Sequence, residues 1–227
     1  MANHLDLEEQ EQLDQLKHFW KQYGNLIAWA LIIVLGAIAS WNGYQLWQRN
    51  QSVQAAAMYD EVERVVRSGD PQKAERAFSD MKERFSSAVY TQQAGLLVAK
   101  MAHEAGITDS SKAILSWLVE NNSDKGYSSV ARLRLAALLI QAKSYDEALK
   151  LLNTGVSGEF AALTADRRGD IYILQGKRAE AKIEYQKAFK AFEDETEYRR
   201  LVGVKLSALG VDPMLLDRPT IALGGVK

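Results

Sequence analysis

The sequence of 227 residues has no cysteine, only three prolines, only three histidines, and no charged residue between positions 22 and 48. Without cysteine, disulfides, zinc ribbons and thiol chemistry are excluded. That lack leaves the compartment open, since a cysteine-free chain suits oxidising and reducing surroundings alike. His4, His18 and His103 are scattered along the chain, so neither a metal site nor any cofactor is expected. The net charge of −1 includes no basic excess, which argues against a nucleic-acid partner. Where charges do cluster they mix signs, as in Lys177-Arg178-Ala179-Glu180-Ala181-Lys182, the pattern of a solvated helix face.

The uncharged segment is the strongest positive signal. Its middle, residues 26–39, is apolar throughout, with eight Leu, Ile or Val side chains. A helix of roughly 20 residues matches a hydrocarbon core of about 30 Å. Those eight side chains favour insertion by about −2 to −5 kcal/mol, and no buried Arg or Lys opposes them. Phe19, Trp20 and Tyr23 stand on one side of the segment and Trp41, Tyr44 and Trp47 on the other, as an interfacial aromatic belt does. Residues 22–48 are therefore read as a transmembrane anchor. A cleaved signal peptide is the rival, because Ala37-Ile38-Ala39 precedes Ser40 in the manner of a cleavage site. The run continues through Trp47, however, well beyond an h-region of about 7–15 residues. Either reading sends the rest of the chain across the membrane. Lys17 and Lys21 next to the span favour a cytoplasmic tail over residues 1–21 and an exported C-terminal part.

Within the span, Gly36 with Ser40 and Ala39 with Gly43 form small-xxx-small spacings that suit close approach of a second helix. Before it, Leu5, Leu13, Leu16, Phe19 and Trp20 make an apolar stripe that either lies along the membrane surface or extends the anchor.

Beyond the span, apolar residues recur at three and four rather than two, which predicts an all-α chain. Ser68-Gly69-Asp70-Pro71, Gly106-Ile107-Thr108-Asp109, residues 121–126, Gly155-Val156-Ser157-Gly158 and Gln175-Gly176-Lys177 mark the turns. Asp70 reads as an N-cap with proline at the first helical position. The order Gly169, Tyr172, Gly176, Ala181, Tyr185, Ala188 has the spacing of a tetratricopeptide repeat. Gly169 and Ala181 allow close helix approach, and Tyr172 and Tyr185 fill the space beside them. A second unit holds Ala136, Leu139, Ala148 and Leu152. Two weaker units are marked by Ala113 with Trp117 and by Ala74 with Phe78. The expected domain is an α-solenoid of tetratricopeptide-like repeats over residues 49–209, capped by residues 195–209. Residues 210–227 lack helical periodicity and read as a flexible tail.

No catalytic constellation is present: no HExxH, no Gly-rich loop after a strand, no Ser with a His and Asp arrangement. Asp166-Arg167-Arg168-Gly169-Asp170 reads as a surface ion network. A binding protein, not an enzyme, is the expectation. Stacked helix pairs offer a concave face lined by the first helix of each pair. Repeat positions direct Val130, Leu133, Ala137 and Ile140, then Leu163, Asp166, Asp170 and Ile173, toward that groove. Six of the eight are apolar, which suits extended or unfolded polypeptide. The competing account is that some of them simply pack against the next helix.

Asp14-Gln15-Leu16-Lys17-His18-Phe19-Trp20-Lys21-Gln22-Tyr23-Gly24-Asn25, one membrane helix, and degenerate repeats ending in Ala165-Asp166-Arg167-Arg168-Gly169-Asp170 together resemble the YfgM family of bacterial inner-membrane proteins. The resemblance implies an ancillary subunit of the Sec translocon, single-pass in the inner membrane, with a periplasmic repeat domain. It further implies partners among periplasmic chaperones, including a membrane-anchored isomerase-like chaperone. It carries over no catalytic residue, and the Leu215-rich stretch after Pro213 has no counterpart in its pattern. A repeat scaffold of another envelope complex, or an adaptor of inverted topology, is the alternative that the residues alone leave open.

Overall fold

The computed structural model describes residues 7–121 and 124–216. The chain divides into two compact units, Met1–Val53 and Gln54–Lys227, a boundary that falls inside a helix. Every regular element among the described residues is helical.

In the first unit, helix α1 (Leu7–Arg67) carries the apolar segment without a break. Residues 24 to 48 include no proline, so every backbone N–H of the span has a carbonyl one turn back to bond to, as a lipid environment demands. Its apolar side chains have no cover of their own: Leu26 is 68% exposed and Ile33 67%. Asn42, a polar residue within the span, donates one of its two amide N–H groups to the carbonyl of Ile38 at 3.0 Å, within its own helix. By length and composition α1 can cross a membrane.

In the second unit, residues 54–67 of α1 turn Ala55 and Val62 into the core. Helix α2 (Pro71–Phe85) starts where expected: the Asp70 carboxylate accepts the Lys73 N–H at 3.1 Å. This bond holds the Asp70 carboxyl below the usual carboxylate range. Ala74, Phe78, Met81 and Phe85 form its buried stripe. There follow α3 (Val89–Glu104), α4 (Thr108–Glu120), α5 (Lys125–Gln141), α6 (Tyr145–Leu152), α7 (Ala161–Leu174), α8 (Arg178–Ala191) and α9 (Glu197–Ala208).

The repeat is most visible in its turns. Gly106, Lys143 and Gly176 all have φ between 60° and 76°. In each case the next residue's N–H closes back five residues, Ile107 to Ala102, Ser144 to Leu139 and Lys177 to Tyr172, at 2.8–2.9 Å. These are Schellman closures, which end the first helix of each pair and start the second. Lys143 adopts the left-handed conformation without being glycine, at a cost of about 1 kcal/mol, which is why the middle turn is hard to see in the sequence.

Packing inside the pairs follows the small-residue logic. A Cβ on Gly169 would run into the Tyr185 ring, so α7 and α8 approach as closely as they do only with glycine there. Ala136, Ala148 and Ala181 are fully buried. For α3 and α4 the expected marker fails: Ala113 is exposed. Helix α4 buries Ser111, Ile114, Leu115 and Leu118, a stripe at three and four spacing that leaves position 113 outside. The close approach is made by Gly95, where a Cβ would meet Leu118 at 2.9 Å and Phe78 at 3.0 Å.

Two cores result. The larger extends from Ala55 to Ile171 and includes Phe78, Met81, Leu118 and Leu152. The smaller joins α7, α8 and α9 through Ala165, Ala181, Tyr185, Ala188, Phe189, Val202 and Leu206. After α9, a 3-10 turn (Pro213–Leu215) follows, and Val211 and Leu216 lean on the smaller core. Of the segment expected to be a flexible tail, Val211 and Leu216 rest on that core, whereas Gly210, Asp212, Met214 and Leu215 are exposed. Residues 217–227 of that segment, and residues 1–6 of the N-terminal tail, lie outside the described residues.

Candidate functional site

The first helices of successive pairs, α3, α5 and α7, carry the residues assigned to the groove. On α5, Val130, Leu133, Ala137 and Ile140 are all half-buried. Val130, Leu133 and Ile140 lean against the larger core. Ala137 instead lines an open cavity of about 310 Å³ between α3, α4 and α5. On α7, Leu163 is half-buried and Ile173 is 38% exposed, and neither lines that cavity. Of the six apolar candidates, Ala137 lines this cavity, and the other five lie on α5 and α7 outside its lining.

The cavity itself combines two chemistries. Its floor is apolar, from Ala99 on α3, Leu115 on α4, and Ala137 and Leu138 on α5. Ser111 also lies there, buried, with its hydroxyl donating to the Ala99 carbonyl at 2.8 Å. Around the opening stand Lys100 and His103 of α3 and Arg134 of α5, all exposed. Arg134 is fixed by donating from Nη1 to the Leu96 carbonyl of α3 at 3.0 Å. Sequence reasoning missed these three. Lys100 and His103 are three apart and share one face of α3, but their pairing with Arg134 depends on which helices stack.

Asp166 and Asp170 do not face an open groove. Asp166 is 1% exposed. Its Oδ1 accepts from Lys205 Nζ at 2.7 Å and its Oδ2 from the Tyr198 hydroxyl at 2.8 Å. One turn on, Asp170 Oδ1 accepts from the same Lys205 at 2.7 Å and from the Tyr185 hydroxyl at 2.8 Å. Asp166 was assigned to the groove by its repeat position, but α9 covers it. Burial, helped by the Asp166 bond, pushes the Tyr198 phenol up to about 12. Burial and then the Asp170 bond raise Tyr185 as well. These bonds fasten α9 to α7 and α8. Among the described residues, no three His, Asp or Glu side chains group as a metal site.

On α1, Gly36, Ala39, Ser40 and Gly43 are exposed, and a Cβ at Gly36 or Gly43 would meet nothing within 4 Å.

Helix pairs with recurring closures, small residues at the crossings and a terminal capping helix define a tetratricopeptide-like repeat protein. The family described as a tetratricopeptide repeat-like domain matches residues 17–211. Among curated relatives, a protein of Neisseria gonorrhoeae is 32% identical over 213 residues, 92% of this chain and the whole of that protein. One from Haemophilus influenzae is 31% identical across 80% of this chain and 89% of its own length. One from Escherichia coli is 27% identical across 81% and 88%. All three are named ancillary SecYEG translocon subunits. The chain belongs to that family.

Proposed function

We propose that this chain is a non-enzymatic, single-pass adaptor of the bacterial inner membrane. Residues 22–48 anchor it, the N-terminal tail stays in the cytoplasm, and the repeat domain stands in the periplasm. Through the anchor and the repeats it associates with the Sec translocon. The repeat domain then links emerging, unfolded secreted chains to periplasmic chaperones, a membrane-anchored isomerase-like chaperone among them.

The observation that carries this reading is the reach of the family match, which takes in the apolar segment and the repeats together. Anchor and binding domain thus belong to one design. The exposed small-residue face of α1 suits a partner helix, and the open cavity beside Ala137 suits a peptide.

Photo-crosslinkers placed in the full-length protein in membranes test it. From Gly36 or Ser40 the expected product is a translocon subunit. From Ala137 or Ile173 the expected products are a membrane-anchored chaperone and secreted chains. Products only from the exposed Glu75 and Arg76 of α2 would overturn the groove assignment. Protease added to spheroplasts should digest the repeat domain; protection would overturn the orientation.

A further inference from the structure

The cavity between α3, α4 and α5 joins an apolar floor to a basic rim. Its floor, from Ala99, Leu115 and Ala137, is apolar, while Lys100, His103 and Arg134 line its rim. No acidic side chain is among its lining residues. The nearest ion pair, Lys100 with Glu104, is long at 3.7 Å, and both side chains are more than 60% exposed, so it neutralises little. Arg134 spends one N–H on the Leu96 carbonyl. A guanidinium has five such donors in a planar fork, so the others remain for a ligand and are already held in place. Preorganised donors of this kind cost less ordering on binding.

We propose that this cavity takes an extended internal segment of an unfolded chain in which an acidic side chain adjoins a small aliphatic one. The aliphatic group fills the floor, and the carboxylate accepts from Arg134 and Lys100, with His103 beside them. The inference rests on the binding-module reading above and names its ligand class. A chain end, with its terminal carboxylate, offers similar chemistry; the open shape favours a segment that passes through.

The test uses full-length protein in mild detergent and fluorescent decapeptides blocked at both ends, one containing Leu-Glu-Val and one Leu-Gln-Val. A third keeps Leu-Gln-Val and a free C-terminus. The Glu peptide should bind about tenfold or more tightly than the Gln peptide, as a charge-assisted hydrogen bond implies. Raising salt should shrink that ratio. Lys100→Glu, at an exposed site that the fold does not need, should abolish the preference, and Ala137→Trp should abolish binding of both peptides. Equal binding of the two blocked peptides, an unchanged preference in Lys100→Glu, or binding of the free-ended peptide alone would each overturn the proposal. Crosslinking from Ser40 to the translocon is read in parallel. If it persists when no peptide binds, the cavity proposal fails and the adaptor reading stands. If it is absent while the Glu preference holds, the cavity proposal survives and the adaptor reading fails.

Discussion

The two cores of the repeat domain are built on different physical terms. The larger one, from Ala55 to Ile171, packs aliphatic, aromatic and sulfur side chains, and the buried polar residues on α3, α4 and α5, Thr91, Gln92, Ser111, Ser128 and Ser129, are all uncharged. The smaller one, across α7, α8 and α9, contains both charged residues that are buried among those described, Asp166 and Glu184. Glu184 bonds Arg168 at 2.8 Å and Lys187 at 2.6 Å, and Asp166 reaches α9 through Lys205 and Tyr198. An internal helix pair is held on both sides by neighbours, so apolar burial with a few neutral hydrogen bonds, such as Ser111 to the Ala99 carbonyl, needs no buried charge. The last pair has a neighbour on one side and a single capping helix on the other. Directional bonds then decide where that helix docks, because an apolar face alone would let α9 slide.

This contrast is broken most severely in the larger core. Leu118 is fully buried and touches the Gly95 approach between α3 and α4. Leu118→Ala removes that contact and leaves a cavity, at about 2–5 kcal/mol. The expected outcome is a lower denaturant midpoint for the whole repeat domain, followed by circular dichroism on full-length protein. A change confined to α3 and α4 would mean that the larger core is not one cooperative unit.

Asp166→Ala sharpens the same contrast from the other side. It strands the Tyr198 hydroxyl and half of the Lys205 bonding. The penalty is about 3 kcal/mol, at the low end for a broken buried pair, because Asp170 still holds Lys205. Hydrogen exchange should rise steeply in α9 and the last turns of α8 while α2 to α4 stay protected. Uniform loosening across all helices would refute the local role assigned to this network.

These two sites also mark what the chain disclosed before its structure did. The long apolar N-terminal helix, the helical class and the last repeat were legible because their signals are local: an uncharged run, three-and-four periodicity, and Gly169 with Ala181 and Tyr185 at repeat spacing. The register of α4 was not, since Ala113 followed by Trp117 imitates a repeat while the true close contact is glycine at position 95. Asp166 misled for a related reason. Its repeat position indicates a groove, and only the docking of α9, a contact 39 residues away through Lys205, covers it. The cavity rim was hidden likewise, because Arg134 joins Lys100 and His103 only once α3 and α5 are stacked.

The smallest effect separates the two cores by pH. In the folded chain Tyr198 is pushed up to about 12, first by burial and then by its bond to Asp166, whereas an unfolded tyrosine ionises near pH 10. A raised folded value means that this contribution is complete below about pH 10 and is lost as pH climbs from about 10 toward 12. Alkaline titration should therefore loosen α9 before the larger core, read by hydrogen exchange or by a crosslink between α7 and α9. Tyr198→Phe leaves Asp166 one donor short, at about 1 kcal/mol near neutral pH. It should also flatten that alkaline slope, because the variant has no phenol to ionise. An unaltered slope in Tyr198→Phe would assign the alkaline loss to Tyr185, which burial also raises, and leave Tyr198 with packing alone.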